Sequence, residues 1–549
     1  MSTNNKSGCG FFPLVGATAI IAAGSAGAYY YFQGELPFFA NQSITPLVAA
    51  EVIPESAFAS GYLSTNEKAW QQLWNYGTPE VKKEIETRLE ELDQEIFSEN
   101  NISFAKDIQP WIDGITIAFL PPRKSSPLPE DVQPLIVIGV QNKLKAKRFF
   151  DKLQIEGDLT LETREYQNIT ITKAQNYSGD NFSFALLGNR LVLAEKDYTI
   201  ETAIDSFQGA ASYADKPTAR KLLKQPLSVD NSLFNIYIPN YGKTVEQFLE
   251  NTDQPIPETS LKQLEEVESI VVGIGAEKQG LHLQAIANLD PDKTDAKLKP
   301  VKGNILGEFP GKTFLLAHGQ GINEGWNQLV EMGREDQDVN SLVREIRSGF
   351  RQIKLDVDRD LFNWMDGEFG FGFIELDRGG IANFGLGGMI LLETNDRSTA
   401  SNTLEKFTEF SQSNASFDVN EKNVKGTKVV EWIVPGQGVV LSHGWLNKRN
   451  LMVTLGTSFE VVKESNKQES LLKNPNFKEI KSSLPSQNLG YFYLDFEQLN
   501  QQLEGLPSGT IPPESKLILE SIKGLGMTIS SPNDSTSQFD AVLSIDSGL

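Results

Sequence analysis

The sequence predicts an α+β protein: two tandem homologous modules, each with a largely antiparallel β-sheet and packed helices, behind one N-terminal transmembrane helix. Three observations predict it. Asp107-Ile108-Gln109-Pro110-Trp111-Ile112-Asp113-Gly114 recurs as Asp360-Leu361-Phe362-Asn363-Trp364-Met365-Asp366-Gly367, with the two tryptophans 253 residues apart. Short apolar and alternating runs dominate, and helical stripes come as insertions rather than in strict β-α-β alternation. Finally, no residue from Phe11 to Phe32 is charged.

The uncharged run sets the N-terminal organisation. At about 1.5 Å rise per residue its length suffices for one bilayer crossing. Tyr29, Tyr30, Tyr31 and Phe32 suit the membrane–water interface. A cleaved signal peptide ending at Ala26-Gly27-Ala28 is the rival reading, but the apolar run continues past that site. Lys6 is the only basic residue before the span and Glu35 the first charge after it, which places residues 1–10 in the cytoplasm and the acidic bulk across the membrane. Residues 33–48, with Pro37 and Pro46, read as a tether.

The first module is expected over 49–298 and the second over 299–549. Pro54 and Pro310, and Trp70 and Trp326, are each 256 residues apart. A strand over Ala57 to Leu63 matches one over Thr313 to Ala317. A helical stripe of Val81, Ile85, Leu89, Leu92 and Ile96 matches Val339, Leu342, Ile346, Phe350 and Ile353. After each tryptophan motif come a strand, a second strand (Leu135 to Val140; Met389 to Leu392) and a helix (Lys143 to Leu153; Arg397 to Phe407). Asn168 to Thr172, Phe182 to Leu187 and Leu191 to Ala194 answer to Val429 to Val434, Gly438 to Ser442 and Leu451 to Leu455. Helices at Thr199 to Phe207 and Ser458 to Ser465 follow. Strands at Phe234 to Ile238 and Gly490 to Leu494 lead to a closing Glu-Ser-Ile and Gly-containing strands. The polar link Leu289 to Leu306 reads as the boundary.

Composition narrows function more than motifs do. Of 549 residues 39% are hydrophobic, and 32 are Phe, enough for large cores. The net charge of −22 repels phosphate backbones, so no nucleic-acid partner is expected. The single cysteine, Cys9, excludes an intrachain disulfide. Asp356, Asp358 and Asp360 start like a calcium loop, but Leu361 and Gly367 stand where its Gly and Glu belong, so a solvated acidic turn is expected. His318-Gly319 and His443-Gly444 are read as strand-ending turns, and no zinc pair accompanies them or His282. Gly273-Ile274-Gly275 reads as a sheet feature rather than a dinucleotide loop. No catalytic residue, cofactor or metal is expected. Asp107, Trp111, Asp113, Gly114, Asp360, Trp364, Asp366 and Gly367 are read as a structural motif, with Asp-Gly turning the chain and Trp plugging the core.

Val52-Ile53-Pro54, the Trp111 stretch and Leu187-Gly188-Asn189-Arg190-Leu191-Val192 resemble an uncharacterised cyanobacterial membrane-anchored family, catalogued as domain of unknown function 3352. The resemblance spans Ala49 to the end. It implies a photosynthetic bacterial host and an extracytoplasmic domain, and carries over no site residues. The expected protein is therefore non-enzymatic, held in the plasma or thylakoid membrane by lipid contact of residues 11–32. Its bulk is expected in the periplasm or lumen, acting on a protein partner, for instance in scaffolding or assembly of membrane complexes. A carrier or sensor of an apolar ligand, lipid or pigment, is the first alternative. A hydrolase using the paired aspartates for acid–base work is the second.

Overall fold

The computed structural model describes residues 44–97, 104–122, 132–156, 160–175, 181–249, 264–292, 299–376, 385–414, 417–503 and 513–547. The predicted anchor, residues 11–32, lies outside them, as does nearly all of the tether. Among the described residues no helix is long and apolar enough to cross a membrane. The protein is α+β, a mixture of helices and antiparallel sheet.

The chain divides into two compact units, one holding nearly all residues up to Lys293 and the other Thr294 to Asp546. The first contains β1 (Ala59–Leu63), β2 (Ile112–Leu120), β3 (Gln133–Val140), β4 (Thr160–Tyr166), β5 (Ile169–Gln175), β6 (Asn181–Leu187), β7 (Arg190–Ala194), β8 (Ser232–Ile238), β9 (Val267–Glu277) and β10 (Gly280–Leu289). Their pairings, all antiparallel, give the order β4-β5-β6-β7-β3-β2-β1-β8-β9-β10.

The second contains β11 (Thr313–Gln320), β12 (Glu368–Glu375), β13 (Leu386–Glu393), β14 (Asp418–Val424), β15 (Thr427–Val434), β16 (Gly438–Trp445), β17 (Asn450–Leu455), β18 (Tyr491–Asp495), β19 (Ile522–Asn533) and β20 (Thr536–Ile545). Its antiparallel order is β14-β15-β16-β17-β13-β12-β11-β18-β19-β20. Moving each strand of the first order ten places along the chain reproduces the second.

Each sheet has two apolar faces. Because side chains alternate across a strand, β12 sends Gly370, Gly372 and Ile374 to one side and Phe369, Phe371 and Phe373 to the other. The first face carries the main core. In unit 1 it lies with Ile200, Ala203 and Ile204 of the helix Asp197–Phe207 and Leu222 of Pro217–Leu223. In unit 2 it lies with Phe459 and Val462 of Phe459–Gln468 and Phe477 and Ile480 of Pro475–Ser483. The second face meets Trp111 and the helix Lys143–Glu156 in unit 1, and Trp364 and the helix Arg397–Asn414 in unit 2.

Several expectations change. Residues Ile44 to Val48 are not a tether: Ile44 is buried in the unit 1 core, and the Thr45 hydroxyl caps the helix Pro46–Ala50. The helical stripes are narrower than predicted. In the helix Gln337–Arg351, Val343 is buried and Leu342 is 48% exposed, because the buried stripe runs through Val343 and Ile346. In Pro79–Phe97, Val81 is buried and Ile85 is 43% exposed, while the side chains of Leu89, Leu92 and Ile96 lie outside the described residues.

The histidines end no strand. His318 lies inside β11 and His443 inside β16, both buried. Two strands went unpredicted, β4 (TLETREY) and β14 (DVNEKNV). Among the described residues each pairs on one side only, with β5 or β15. Their charges suit sheet edges, which soluble sheets protect in this way.

Candidate functional site

The repeated tryptophan motif forms a corner that opens with a π-helical turn, Phe104–Ile108 in unit 1 and Val357–Phe362 in unit 2. The geometry closes the same way twice. The Trp111 indole N–H donates to the Asp107 carbonyl at 2.7 Å, and Trp364 to that of Asp360 at 3.0 Å. The Asp107 carboxylate takes Lys152 at 2.8 Å, and Asp360 takes Lys406 at 2.7 Å. Both tryptophans are buried. Arg359 and then Lys406, each hydrogen-bonded to Asp360, hold its carboxyl far below the usual carboxylate range.

The second aspartates diverge. Asp113 accepts the Ile44 N–H at 2.8 Å and the Thr65 hydroxyl at 3.5 Å. Burial outweighs those bonds and raises its pKa. Asp366 accepts the Asn395 backbone N–H and side-chain amide, at 3.1 and 2.9 Å. Those bonds outweigh burial, so its pKa falls.

The glycines differ too. Asp113-Gly114 is not a turn ahead of β2. It lies within the strand, where the pairing register with β3 shifts between Ile112 and Ile115, and Gly114 has φ +73°. Gly367 has no positive φ. Its constraint is space, since a Cβ there would come within 2.5 Å of the Glu393 carbonyl.

The acidic triplet is a set of separate contacts rather than one solvated turn. Asp356 caps the π-helical turn at the Arg359 N–H. Asp358 holds Arg347 and the Trp326 indole N–H. Asp360 holds Lys406 and Arg359. Among the described residues no group of three or more His, Cys, Asp or Glu is placed to hold a metal ion. A polar cleft of about 500 Å³ flanks the corner, lined by residues including Asp360, Asn363, Thr399, Asn402 and Lys406.

A carboxylate that sequence reasoning passed over joins the unit 2 entry segment to the sheet. Glu368, 3% exposed, accepts the N–H groups of Lys302 and Gly303, both at 2.9 Å, and of Ile305 at 3.4 Å. His318 Nε2 lies 3.5 Å away. Burial pushes the Glu368 pKa up, but the His318 contact and the backbone N–H groups together lower it. In unit 1, Asp113 grips Ile44 of the entry segment in a comparable way. The signal in the sequence was a Glu heading an otherwise apolar strand.

The second sheet face is apolar in both units. In unit 1 a cross-strand row runs Leu193, Ile136, Ile117, Gly61, Ile236, Val272. In unit 2 a row on the corresponding face runs Leu455, Gly388, Phe373, Leu315, Leu494, Leu525. Most of these side chains are half-buried rather than sealed. A neighbouring row in unit 2, Val430, His443, Val453, Ile390, Phe371, is apolar apart from His443 and ends on Glu421 of the edge strand β14. His443 is 8% exposed, and its Nε2 lacks a hydrogen-bond partner. Burial pushes its pKa down to about 4.

The chain matches, over residues 14–545, the family described as "Protein of unknown function (DUF3352)", and it belongs to that family. No curated protein matches it. Among solved structures it is similar to "Structure of crystal form I of TP0453" at 11% identity and TM-score 0.25, covering 47% of this chain and 81% of that one. The crystal form III structure of TP0453 gives 11% and 0.24, covering 47% and 82%.

Proposed function

We propose that this family member is a membrane-tethered, non-enzymatic protein of the periplasm or thylakoid lumen that acts by binding a protein partner through its two modules. The observation that carries the reading is the half-buried apolar face of each sheet, rows of Ile, Leu, Val and Phe left partly open. Apolar surface of this kind gains about 25 cal/mol per Å² when a partner removes it from water. The net charge of −22 keeps the remaining surface soluble and selects against anionic partners.

Residues 11–32 serve as the anchor, an uncharged run of bilayer-spanning length. The recurring strand order and the two tryptophan corners support descent of the modules from one ancestral unit. Crosslinking in intact membranes, followed by identification of neighbours, tests the reading. A reproducible protein neighbour on both modules is expected, and its absence from repeated preparations would remove the reading.

A second reading, a carrier or sensor of an apolar ligand, is favoured by a different observation: polar atoms without partners beside the apolar rows of unit 2. Extraction and mass spectrometry of the purified full chain tests it. A co-purifying lipid or pigment is expected.

A further inference from the structure

Three buried polar atoms of unit 2 lack a hydrogen-bond partner: His443 Nε2 on β16, Trp432 Nε1 on β15 and Ser411 Oγ on the helix Arg397–Asn414. The pairing register places them. Val430 faces His443 across β15 and β16, so Trp432, two residues on, points to the same face as a diagonal neighbour. The helix covers that face. Ala400 and Leu404 share a cluster with Ile390, Leu392 and Val453 of β13 and β17, and the same helix also packs against β14. In the strand order β14-β15-β16-β17-β13 it therefore crosses β15 and β16 on the way. Ser411 falls on the stripe of Ala400 and Leu404 by the helical period and is 2% exposed.

An unpaired buried polar atom costs about 1–3 kcal/mol, so three at one helix–sheet seam call for an occupant. The register position of His443 is filled in unit 1 by Phe184, which pairs with Leu193 as His443 pairs with Val453. An apolar ring is accommodated there.

The indole N–H and the hydroxyl are donors, the imidazole can donate or accept, the residues paired with Trp432 and His443 on β15, β16 and β17 (Leu441, Val430 and Val453) are apolar, and the cation on that face of β15, Lys428, is already held by Glu421. A buried carboxylate would be left without a counter-charge, whereas a neutral carbonyl would be satisfied. Beside them runs the half-buried row Leu441, Leu455, Phe373, Leu315, whose side chains keep part of their apolar surface open and on which an acyl chain can lie.

We propose that unit 2 binds a neutral apolar molecule carrying an ester or ketone carbonyl, its oxygen held by Trp432, Ser411 and His443 beneath the helix and its tail on the neighbouring row. This rests on the second functional reading, that of an apolar-ligand carrier or sensor.

The test is photolabelling of the full chain in phospholipid nanodiscs with two probes of equal length, each with a diazirine on its chain. One is a fatty acyl methyl ester and the other the corresponding hydrocarbon. The ester is expected to label peptides within 397–414 and 430–455, at least fivefold more than the hydrocarbon. His443→Phe, Trp432→Phe and Ser411→Ala are each expected to reduce ester labelling at least threefold and to leave hydrocarbon labelling unchanged, with a cooperative melting transition verifying the fold. Should one variant fail to fold, His443→Phe, which copies the unit 1 residue, carries the test.

Equal labelling by both probes, labelling elsewhere, or unchanged labelling in the variants would overturn the proposal, as would no labelling, in which case internal water alone occupies the seam. A lipid or pigment co-purifying with the chain while the ester fails to label this seam would overturn this site and leave the carrier reading standing.

Discussion

Individual carboxylates and one histidine make the stability of this protein depend on pH. Glu368 and Asp360 both have folded-state pKa values below their ordinary ones. Such groups contribute stability that is complete above their unfolded-state values, about 4, and is lost as pH falls through their folded-state values. Glu368→Gln keeps one acceptor oxygen but loses the charge that backbone N–H groups and His318 stabilise. It is expected to cost about 1.5–3 kcal/mol at pH 7 and progressively less as pH falls below about 4, read by chemical denaturation across that range.

His443 works over a different window. Its folded-state pKa of about 4 lies below an unfolded value near 6.5, so the unfolded chain takes up a proton that the fold refuses. Stability should therefore fall as pH drops from about 6.5 to about 4, by up to ~3 kcal/mol, and His443→Phe should remove that slope. Histidine type and spacing could not reveal this, because the burial that lowers the pKa comes from strands and a helix distant in sequence.

Elements show where local rules hold and where packing overrules them. The tryptophan corner was legible as a repeat, and its Asp–Gly pairs looked like two equivalent turns. In the structure one glycine answers to conformation and the other to space. Gly114→Ala must place a Cβ at φ +73° and 2.7 Å from the Tyr62 hydroxyl, and Gly367→Ala must displace the Glu393 backbone. Both are expected to destabilise by about 1–3 kcal/mol in thermal or denaturant melts.

The edge strands β4 and β14 were invisible for a related reason. A strand at an edge needs only backbone pairing on one side, so its side chains are free to be charged, and the apolar alternation that marks inner strands is absent. Replacing Glu162, Arg164 and Glu165 of β4 with Thr is expected to drive concentration-dependent association, visible by light scattering, while leaving the fold intact.

Over the whole molecule, the proposed anchor and the proposed modules make separate predictions. Full-length protein in membranes is expected to resist alkaline carbonate extraction, whereas a chain beginning at Ile44 should remain in the supernatant. Extraction of the full chain would remove the anchor reading. By itself the sequence determined the α+β class and most strand positions. Those follow from local patterns: side-chain alternation, helical stripes and a repeated motif at near-constant spacing.

Only the tertiary structure decided the strand order, which brings β3 beside β7 and β13 beside β17, and with it the two apolar faces of each sheet. It also decided what the motif carboxylates and histidines touch. A side chain's partners and burial depend on which distant strands pair, and pairing between distant segments leaves no periodic trace in the sequence.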